Sequence, residues 1–448
     1  MHIPLNRQLL FVAMSGVRIY DQELLRLGLT LPGFVERSRV IASLPSLGLL
    51  TLASYTPEDW TVSYREFDQL PENTAQALAD EGFTVVAISA LTARIEEAYG
   101  LARELRNLGL IVILGGLHVS ALPEEAALHA DIIVQGEGER VWPQILQDLV
   151  EGRANPFYSS FGNPEASPAH RIPRYDLLEL DRYNRLTLQT VRGCPLHCSF
   201  CAASRTISPY RKKPLADIEK ELETILHLWP RPFLELADDN TFVDKIWGRS
   251  LAALLGRYPV RWFTESDISV ADDTHLLRLL AHSGCAQILV GLESASEQTM
   301  KGLDSADWKF RKHESYRDRI RKIQDHGISV NGCFILGFDQ DDSSAFPRTL
   351  EFIDRLELAE VQITLLTPFP GTELRNTLLR ENRIPPPDDW NRYTLFDTTF
   401  LPAQMTRETL RKEFHWLMKN VYSDDRIAAR KKIMKTCLRT ATQMKVIP

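Results

Sequence analysis

The 448 residues predict an α/β chain in three parts: an N-terminal doubly wound parallel sheet, a partial (β/α)6 barrel, and a mostly helical C-terminal segment. Three observations predict this. Short apolar runs of strand length alternate with helical periodicity over the first 150 residues, the pattern of an open parallel sheet. Further strand candidates recur between residues 186 and 366 with helical segments between them, the pattern of a barrel. Beyond about residue 376 the strand signals stop and a basic, helical stretch follows. The expected boundaries are 1–150 for the first domain, 151–186 for a linker, 187–375 for the barrel and 376–448 for the last segment.

In the first domain, Gln8 to Met14 is a buried-type strand, and Leu47 to Tyr55 is the next clear element after a loop-rich stretch. Trp60 to Phe67, Phe83 to Ser89, Leu110 to Leu114 and Asp131 to Val134 are the second to fifth strands. Helical patterns over Ala93 to Leu108, Pro123 to His129 and Glu139 to Val150 separate several of them, the second opened by its proline. Ligands of such sheets sit outside the carboxyl ends of the strands. Leu91-Thr92, Gly115-Gly116-Leu117-His118 and Gln135-Gly136-Glu137-Gly138-Glu139 fall at those ends. Asn155-Pro156, Asn163-Pro164, Ser167-Pro168 and Ile172-Pro173 then punctuate a stretch with no lasting periodicity, which marks the linker.

The barrel begins with a strand over Leu186 to Val191. A helix over Leu215 to Leu228 follows, then strands at Pro232 to Ala237, Val260 to Thr264, Gln287 to Val290, Ser329 to Leu336 and Val361 to Leu366. Unusual residues again gather where strands end: Asp238-Asp239-Asn240, Glu265-Ser266, Gly291-Leu292-Glu293-Ser294, Gly337-Phe338-Asp339 and Pro368 to Thr372. Arg383-Ile384-Pro385-Pro386-Pro387 marks a last boundary, and Thr406-Arg407-Glu408-Thr409 opens a helix reading through Phe414, Leu417 and Tyr422 to Lys435.

Composition is that of an ordinary globular protein, 44% apolar and 25% charged. The N-terminal stretch lacks a basic segment followed by an apolar core, and no apolar run approaches the ~18 residues of a spanning helix, so a cytoplasmic protein is expected. Net charge is −7, which gives no general support for nucleic-acid binding. The exception is local: residues 405–448 hold eleven Lys and Arg against four Asp and Glu. Six cysteines, three clustered and three scattered, argue against a disulfide framework.

The clustered three are Cys194, Cys198 and Cys201, in Arg192-Gly193-Cys194-Pro195-Leu196-His197-Cys198-Ser199-Phe200-Cys201. Thiolates so close, on a loop bent by glycine and proline, can converge on one centre, and sulfur-only ligation favours an iron–sulfur cluster or zinc. A closed structural zinc site needs four ligands, and no fourth follows at finger-like spacing. A four-iron cluster with three protein thiolates keeps one iron open, so the cluster is favoured over zinc. Cys285 and Cys333 lie in or beside apolar strands and read as packing residues, and Cys437 has no assigned role.

CxxxCxxC with an aromatic before its last cysteine resembles the signature of the radical S-adenosylmethionine enzymes. That resemblance implies a 4Fe-4S cluster on Cys194, Cys198 and Cys201 whose free iron chelates S-adenosylmethionine and cleaves it to a 5′-deoxyadenosyl radical. It further implies S-adenosylmethionine contacts at Phe200 (adenine), Asp238, Asp239 and Asn240 (amino group), Glu265, and Gly291, Glu293 and Ser294 (methionyl or ribose part). The first domain, in turn, is similar to the Rossmann-like cobalamin-binding domain that precedes many such enzymes. The phrases carrying this are Leu44-Pro45-Ser46-Leu47-Gly48-Leu49, the Gly115-Gly116-Leu117-His118 turn and the Gln135 to Glu139 run. By that likeness Pro45, Leu47, Gly48, Thr92, Gly115, Gly116, His118, Gly136 and Glu137 contact cobalamin. The Asp-x-His-x-x-Gly motif that supplies some cobalamins with a histidine is absent, since Gly116 stands two residues before His118; His118 is therefore expected as a turn or pocket residue.

The resemblance implies a cobalamin-dependent radical S-adenosylmethionine methyltransferase acting on an unactivated carbon of a small molecule or lipid. A cyclase, oxidase or rearranging enzyme with the same two cofactor domains is the alternative. A low-potential electron donor such as a flavodoxin or ferredoxin is the implied partner; catalytic residues beyond the cluster ligands are not indicated.

Overall fold

The computed structural model describes residues 6–14, 16, 21, 23–24, 44–161, 169–203, 206–304, 306–386 and 389–444. Asn163-Pro164 and Ser167-Pro168, expected in the linker, lie outside the described residues, as does most of the loop-rich stretch before Leu44.

The first sheet has six parallel strands: β1 (Gln8–Met14), β2 (Thr61–Glu66), β3 (Val85–Ala90), β4 (Ile111–Gly115), β5 (Ile132–Gln135) and β6 (Phe157–Ser159), in the order β2-β1-β3-β4-β5-β6. A parallel sheet needs cover on both faces, and β1 shows how the sequence meets that need. Leu10, Val12 and Met14 enter one core while Leu9, Phe11 and Ala13 enter the other, as the two-residue period of a strand dictates. Each such Leu or Phe, fully buried, contributes about 1.5–3 kcal/mol. The strand order reverses direction between β1 and β3, so the crevice beyond their carboxyl ends is the expected ligand site.

β6 corrects one expectation. It lies within the span read as linker, yet pairs with β5 through Phe157, Tyr158 and Ser159. A three-residue strand between proline turns carries too few alternations to be seen as a period. The linker is also anchored further on, where the buried Tyr175 hydroxyl donates to Thr187 O and contacts Glu221, each at 2.7 Å.

The second sheet is parallel and unclosed: β7 (Leu186–Leu188), β10 (Phe233–Leu236), β11 (Arg261–Ser266), β12 (Cys285–Glu293), β13 (Ser329–Leu336) and β14 (Glu360–Leu365) follow one another in sequence order. This is the six-stranded partial barrel expected. The two-residue strands β8 (Val191–Arg192) and β9 (Arg211–Lys212) pair antiparallel outside it.

The single helix expected over Met405 to Lys435 is two, Arg407–Val421 and Asp424–Met444. Thr406 caps the first, its Oγ1 accepting from Thr409 N at 3.1 Å. Leu410, Phe414, Leu417 and Val421 share one face of it at helical spacing and are fully buried in the barrel's core. The chain just before it returns to the first domain, where Trp390 and Tyr393 join a core of the first sheet. Among the described residues no helix is long and apolar enough to cross a membrane.

Candidate active site

The β8–β9 ladder pairs Arg192 with Arg211, so the chain from 193 to 210 leaves and returns at one point and projects the three cysteines as a closed loop. Gly193 makes the turn at φ +73°, where a side chain would bring Cβ within 2.8 Å of Ser208 O. The loop is fastened at its far side too: Ser199 N donates to Leu303 O at 3.1 Å, and Leu374 N to Ser199 O at 3.0 Å. All six cysteines are thiols. Burial pushes Cys198 up to about 12 and raises Cys194 as well. Such thiols ionise only with a cation to compensate them, which an iron–sulfur centre provides.

Asn240, at the end of β10, organises this edge. Its Nδ2 donates to Asp267 Oδ2 at 2.9 Å and lies 4.0 Å from Cys194 Sγ, while its Oδ1 accepts from Asp267 N at 3.1 Å and Ser266 Oγ at 3.3 Å. Among the described residues no three His, Cys, Asp or Glu side chains close on a single ion. In a four-iron cluster each thiolate takes its own iron, so the sulfurs need not meet around one point. The donor set, three thiols without a fourth ligand, fits such a cluster.

The thiols form part of the wall of one cavity of about 700 Å³ between the two sheets. Cys194, Cys198, Cys201, Phe200, Asp239, Asn240, Glu265, Gly291 and Glu293 line it from the barrel, and Thr92, Gly116 and His118 from the first sheet. Its remaining wall is largely apolar, with Leu289, Ile335 and Leu366 on the barrel side and Leu91 and Leu117 opposite. Twelve of the residues singled out from sequence thus surround one space.

Two of them show why bare backbone stands there. At Gly291 an added Cβ would lie 2.4 Å from Glu293 Oε1 and 3.1 Å from Lys309 Nζ. At Gly116, with φ +109°, it would lie 2.9 Å from Ser89 Oγ. Glu293 itself has φ +63°, a conformation costly for a side chain, at a register shift between β12 and β13. A buried ion pair holds it: Lys309 Nζ lies 2.6 Å from Glu293 Oε1 and 3.1 Å from Gly291 O. Burial opposes the Lys309 charge, but Glu293 and Cys198 outweigh it and raise the pKa.

His118 is held at both nitrogens, by Thr92 Oγ1 at 3.3 Å and Glu125 Oε1 at 3.2 Å, and its ring meets Trp390 edge-on. It is a pocket residue, as expected, and has no nitrogen to spare for a metal. The half-buried backbone of Gly116, beside Ser89 and Thr92 on the cavity wall, leaves room at the sheet edge that would suit a bulky planar ligand.

The remaining expected contacts do not line the cavity. Pro45, Leu47, Gly48, Gly115 and Gly136 are not part of its wall, and Gly136 sits where a Cβ would meet Ser160 Oγ at 2.4 Å. The Ser294 hydroxyl accepts from Ser296 N, and its carbonyl binds His313 Nε2. Glu137 is buried in a cluster of arginines, with Arg140 at 2.6 Å, Arg192 at 3.0 Å, and Arg211 in direct contact. Asp238 is 4% exposed, and all its capacity is spent inward. Oδ1 accepts from Thr190 N at 2.7 Å and Val191 N at 2.9 Å, and Oδ2 from the hydroxyls of Thr190 and Thr241. It shapes the strand that feeds the cysteine loop.

This gives a prediction opposite to that of a cofactor contact. Asp238→Ala leaves two buried backbone N–H groups unpaired and destabilises the protein by about 2–6 kcal/mol, at roughly 1–3 kcal/mol per group. Denaturant midpoint and iron retention fall together, while the Kd for S-adenosylmethionine of whatever protein stays loaded is unchanged.

Lys309, Cys333, Gln362 and Tyr393 are among the lining residues that sequence reasoning did not place at the site. Cys333 and Gln362 stand opposite each other in the β13–β14 register, both facing the cavity. Cys333 is thus more than the packing thiol expected, whereas Cys285 is buried as expected. Inward positions of a barrel do have a two-residue period, which was the available signal for both. Lys309 and Tyr393 lie in irregular segments and gave none.

Family profiles match on both sides of this cavity: a B12 binding domain over residues 39–146 and the radical SAM superfamily over residues 188–353, together more than half of the chain. An uncharacterized methyltransferase of Synechocystis is 30% identical over 76% of this chain, which spans 64% of that protein, just under two thirds of its length. Bacteriochlorophyllide d C-12(1)-methyltransferase of Chlorobaculum tepidum is 26% identical over 88% of this chain and 86% of its own. An anaerobic magnesium-protoporphyrin IX monomethyl ester cyclase of Rubrivivax gelatinosus is 23% identical over 73% of this chain and 63% of its own. Among solved structures, TsrM of Kitasatospora setae, a radical S-adenosylmethionine methyltransferase with cobalamin and a 4Fe-4S cluster bound, superposes with a TM-score of 0.69 at 14% identity, covering 98% of this chain and all of its own.

Proposed function

The chain belongs to the radical S-adenosylmethionine enzymes that carry a B12-binding front domain, and from that premise we propose that it is a cobalamin-dependent C-methyltransferase acting on an unactivated carbon of a predominantly apolar small molecule or lipid. The observation that carries the reading is the shared cavity, whose wall holds the three thiols on one side and the first sheet's ligand edge on the other. When bound, the cluster with S-adenosylmethionine supplies a carbon-centred radical that removes a hydrogen atom from the substrate, and cobalamin supplies the methyl group.

The chain's own residues hold and enclose. Cys194, Cys198 and Cys201 ligate the cluster. Phe200, packed edge-on against Phe338 at 5.9 Å, offers an aromatic surface to adenine. Asp239 and Asn240 lie where an ammonium would be received, and Glu293, fixed by Lys309, presents a carboxylate to ribose hydroxyls. Tyr393, Thr394 and Leu395 close one side, and Arg375 fixes that strap with Nη1 2.8 Å from Tyr393 Oη and its guanidinium 4.8 Å from the Trp390 ring centroid. The largely apolar wall keeps water from a reactive radical. A low-potential flavodoxin or ferredoxin in a reducing cytoplasm is the proposed electron source.

Anaerobically reconstituted protein with cobalamin, S-adenosylmethionine and a low-potential reductant tests this. The account expects retained cobalamin, 5′-deoxyadenosine, and a product heavier by one methyl group. Product that loses hydrogens or keeps its mass, with both cofactors bound, would instead match the cyclase-like relatives.

A further inference from the structure

Paired polar side chains occupy the barrel lumen below the cofactor edge. Arg185 and Glu235 form an ion pair at 2.6 Å there, Arg185 also covers the Phe263 ring, and Gln287 donates to Glu360 at 2.8 Å. Above this layer the wall is formed by Leu289, Cys333, Ile335 and Leu366, interrupted by Glu265 from β11 and Gln362 from β14. Neither the Glu265 carboxyl nor the Gln362 amide has a hydrogen-bond partner among the described residues. The other acids of the cavity are engaged: Glu293 with Lys309, Asp267 with Asn240 and Ser269, and Asp239 with neighbours of its own.

Glu265 is exposed into the cavity and Gln362 is half-buried there, so only cavity water or a ligand can meet these two groups, and in a largely apolar wall they mark where the polar end of a ligand binds. We propose that Glu265, assisted by Gln362, seats the hydrogen-bond-donating end, hydroxyl or ammonium, of an otherwise apolar substrate, and that this level of the cavity refuses carboxylates and phosphates. Glu265 is then a specificity-determining residue of the proposed reaction, not the S-adenosylmethionine contact that the resemblance implied.

The electrostatics agree. Glu265 is exposed into the cavity it lines, and desolvation by the surrounding walls, with Glu235, Asp239, Asp238 and Glu293 nearby, pushes its pKa up to about 8. At neutral pH it holds a proton, and so both donates to and accepts from a hydroxyl. An ammonium group displaces that proton to solvent and pairs with the carboxylate. An anionic end finds no uncommitted cation at this level, since Arg185 is paired with Glu235 and Lys309 with Glu293, and it faces the Asp239 carboxyl as well.

This inference rests on reading the cavity as substrate space, but its test needs no turnover. The full chain loaded with cluster and cobalamin is titrated by calorimetry with 1-octanol, n-octylammonium and octanoate. Wild type is expected to bind the alcohol and the ammonium at least about tenfold tighter than octanoate, the scale of one hydrogen bond to a charged or buried partner. Glu265→Leu removes that preference to within about twofold. Glu265→Gln, of the same shape, keeps the alcohol and loses the ammonium advantage, which guards against a folding defect in the first variant. Equal binding of octanoate to wild type, or unchanged selectivity in Glu265→Leu, overturns the proposal. A fall in S-adenosylmethionine affinity with selectivity unchanged overturns it as well and returns Glu265 to the cofactor. Failure to find a methylated product would sink the methyltransferase reading and leave these titrations standing.

Discussion

Cys198→Ala is expected to yield a folded protein that retains cobalamin, loses the iron and sulfide of the cluster, and forms 5′-deoxyadenosine only at the background of cluster-free enzyme. Cys198 is 6% exposed and forms a bridge with Asp304 at the back of the cysteine loop, so its backbone is fixed without the metal. Shortening it to alanine removes one of three ligands from a site that has none in reserve. The first sheet lies in a different core and is untouched. Cys285→Ala is the matched control: that thiol is similarly buried in the barrel's core, donates to Gln287 O at 3.7 Å, and is not part of the cavity wall. It should retain iron and radical formation with a cost of about 1 kcal/mol or less for lost packing. Iron analysis and 5′-deoxyadenosine by mass spectrometry read both variants. Retained iron in Cys198→Ala would remove this residue from the ligand set.

The second large effect is expected at Glu137→Ala. Arg192 and Arg211 sit at the two ends of the cysteine loop, and Glu137, from the turn after β5, binds both of them while also holding Arg140. Arg192 further contacts Glu139. One buried carboxylate thus joins the ligand edge of the first sheet to the base of the cluster loop. Its removal leaves three guanidinium groups with a missing counter-ion, a change that costs about 3–5 kcal/mol when a buried pair is broken. The midpoint of chemical unfolding falls accordingly, and cluster retention falls with it.

The same contact sets a pH window. Burial alone would raise the Glu137 pKa, but Arg211 leads the groups that hold it down to about 2, from an ordinary 4.5. A depressed carboxyl contributes its stability above the unfolded value and loses it as pH falls through the folded one. Wild type should therefore lose this contribution between about pH 4.5 and pH 2, and Glu137→Gln, already without the charge, should show a flatter acid limb in the same measurement. An equally steep limb would place the acid sensitivity elsewhere.

Glu137 also illustrates where sequence reading stops. Its place after the fifth strand was legible, because strand ends are marked by a change from apolar runs to Gly and acidic residues. Its partners were not, since Arg192 and Arg211 are more than fifty residues away and meet it only once the barrel is docked. Asp238 failed for a related reason: its neighbour Asp239 faces the cavity and Asp238 faces inward, and at a strand's end a one-residue difference decides between solvent and core. By contrast β1, the helix Leu215–Leu228 and β13 match their expected limits, because each carries an unbroken period. The thiols were legible from spacing alone, since ligand spacing on a short loop needs no tertiary context. Lys309 and the strap at Tyr393 to Leu395 were invisible for the opposite reason: they reach the cavity from segments with no period to read.

The central claim is that the cluster and cobalamin face each other across one chamber. Electron paramagnetic resonance of protein holding both cofactors, with the cobalt as cobalt(II), tests it directly. The account predicts that reducing the cluster broadens the cobalt signal and accelerates its relaxation, and that Cys198→Ala abolishes the effect. A cobalt signal indifferent to the state of the cluster, in protein shown to hold both, would contradict it.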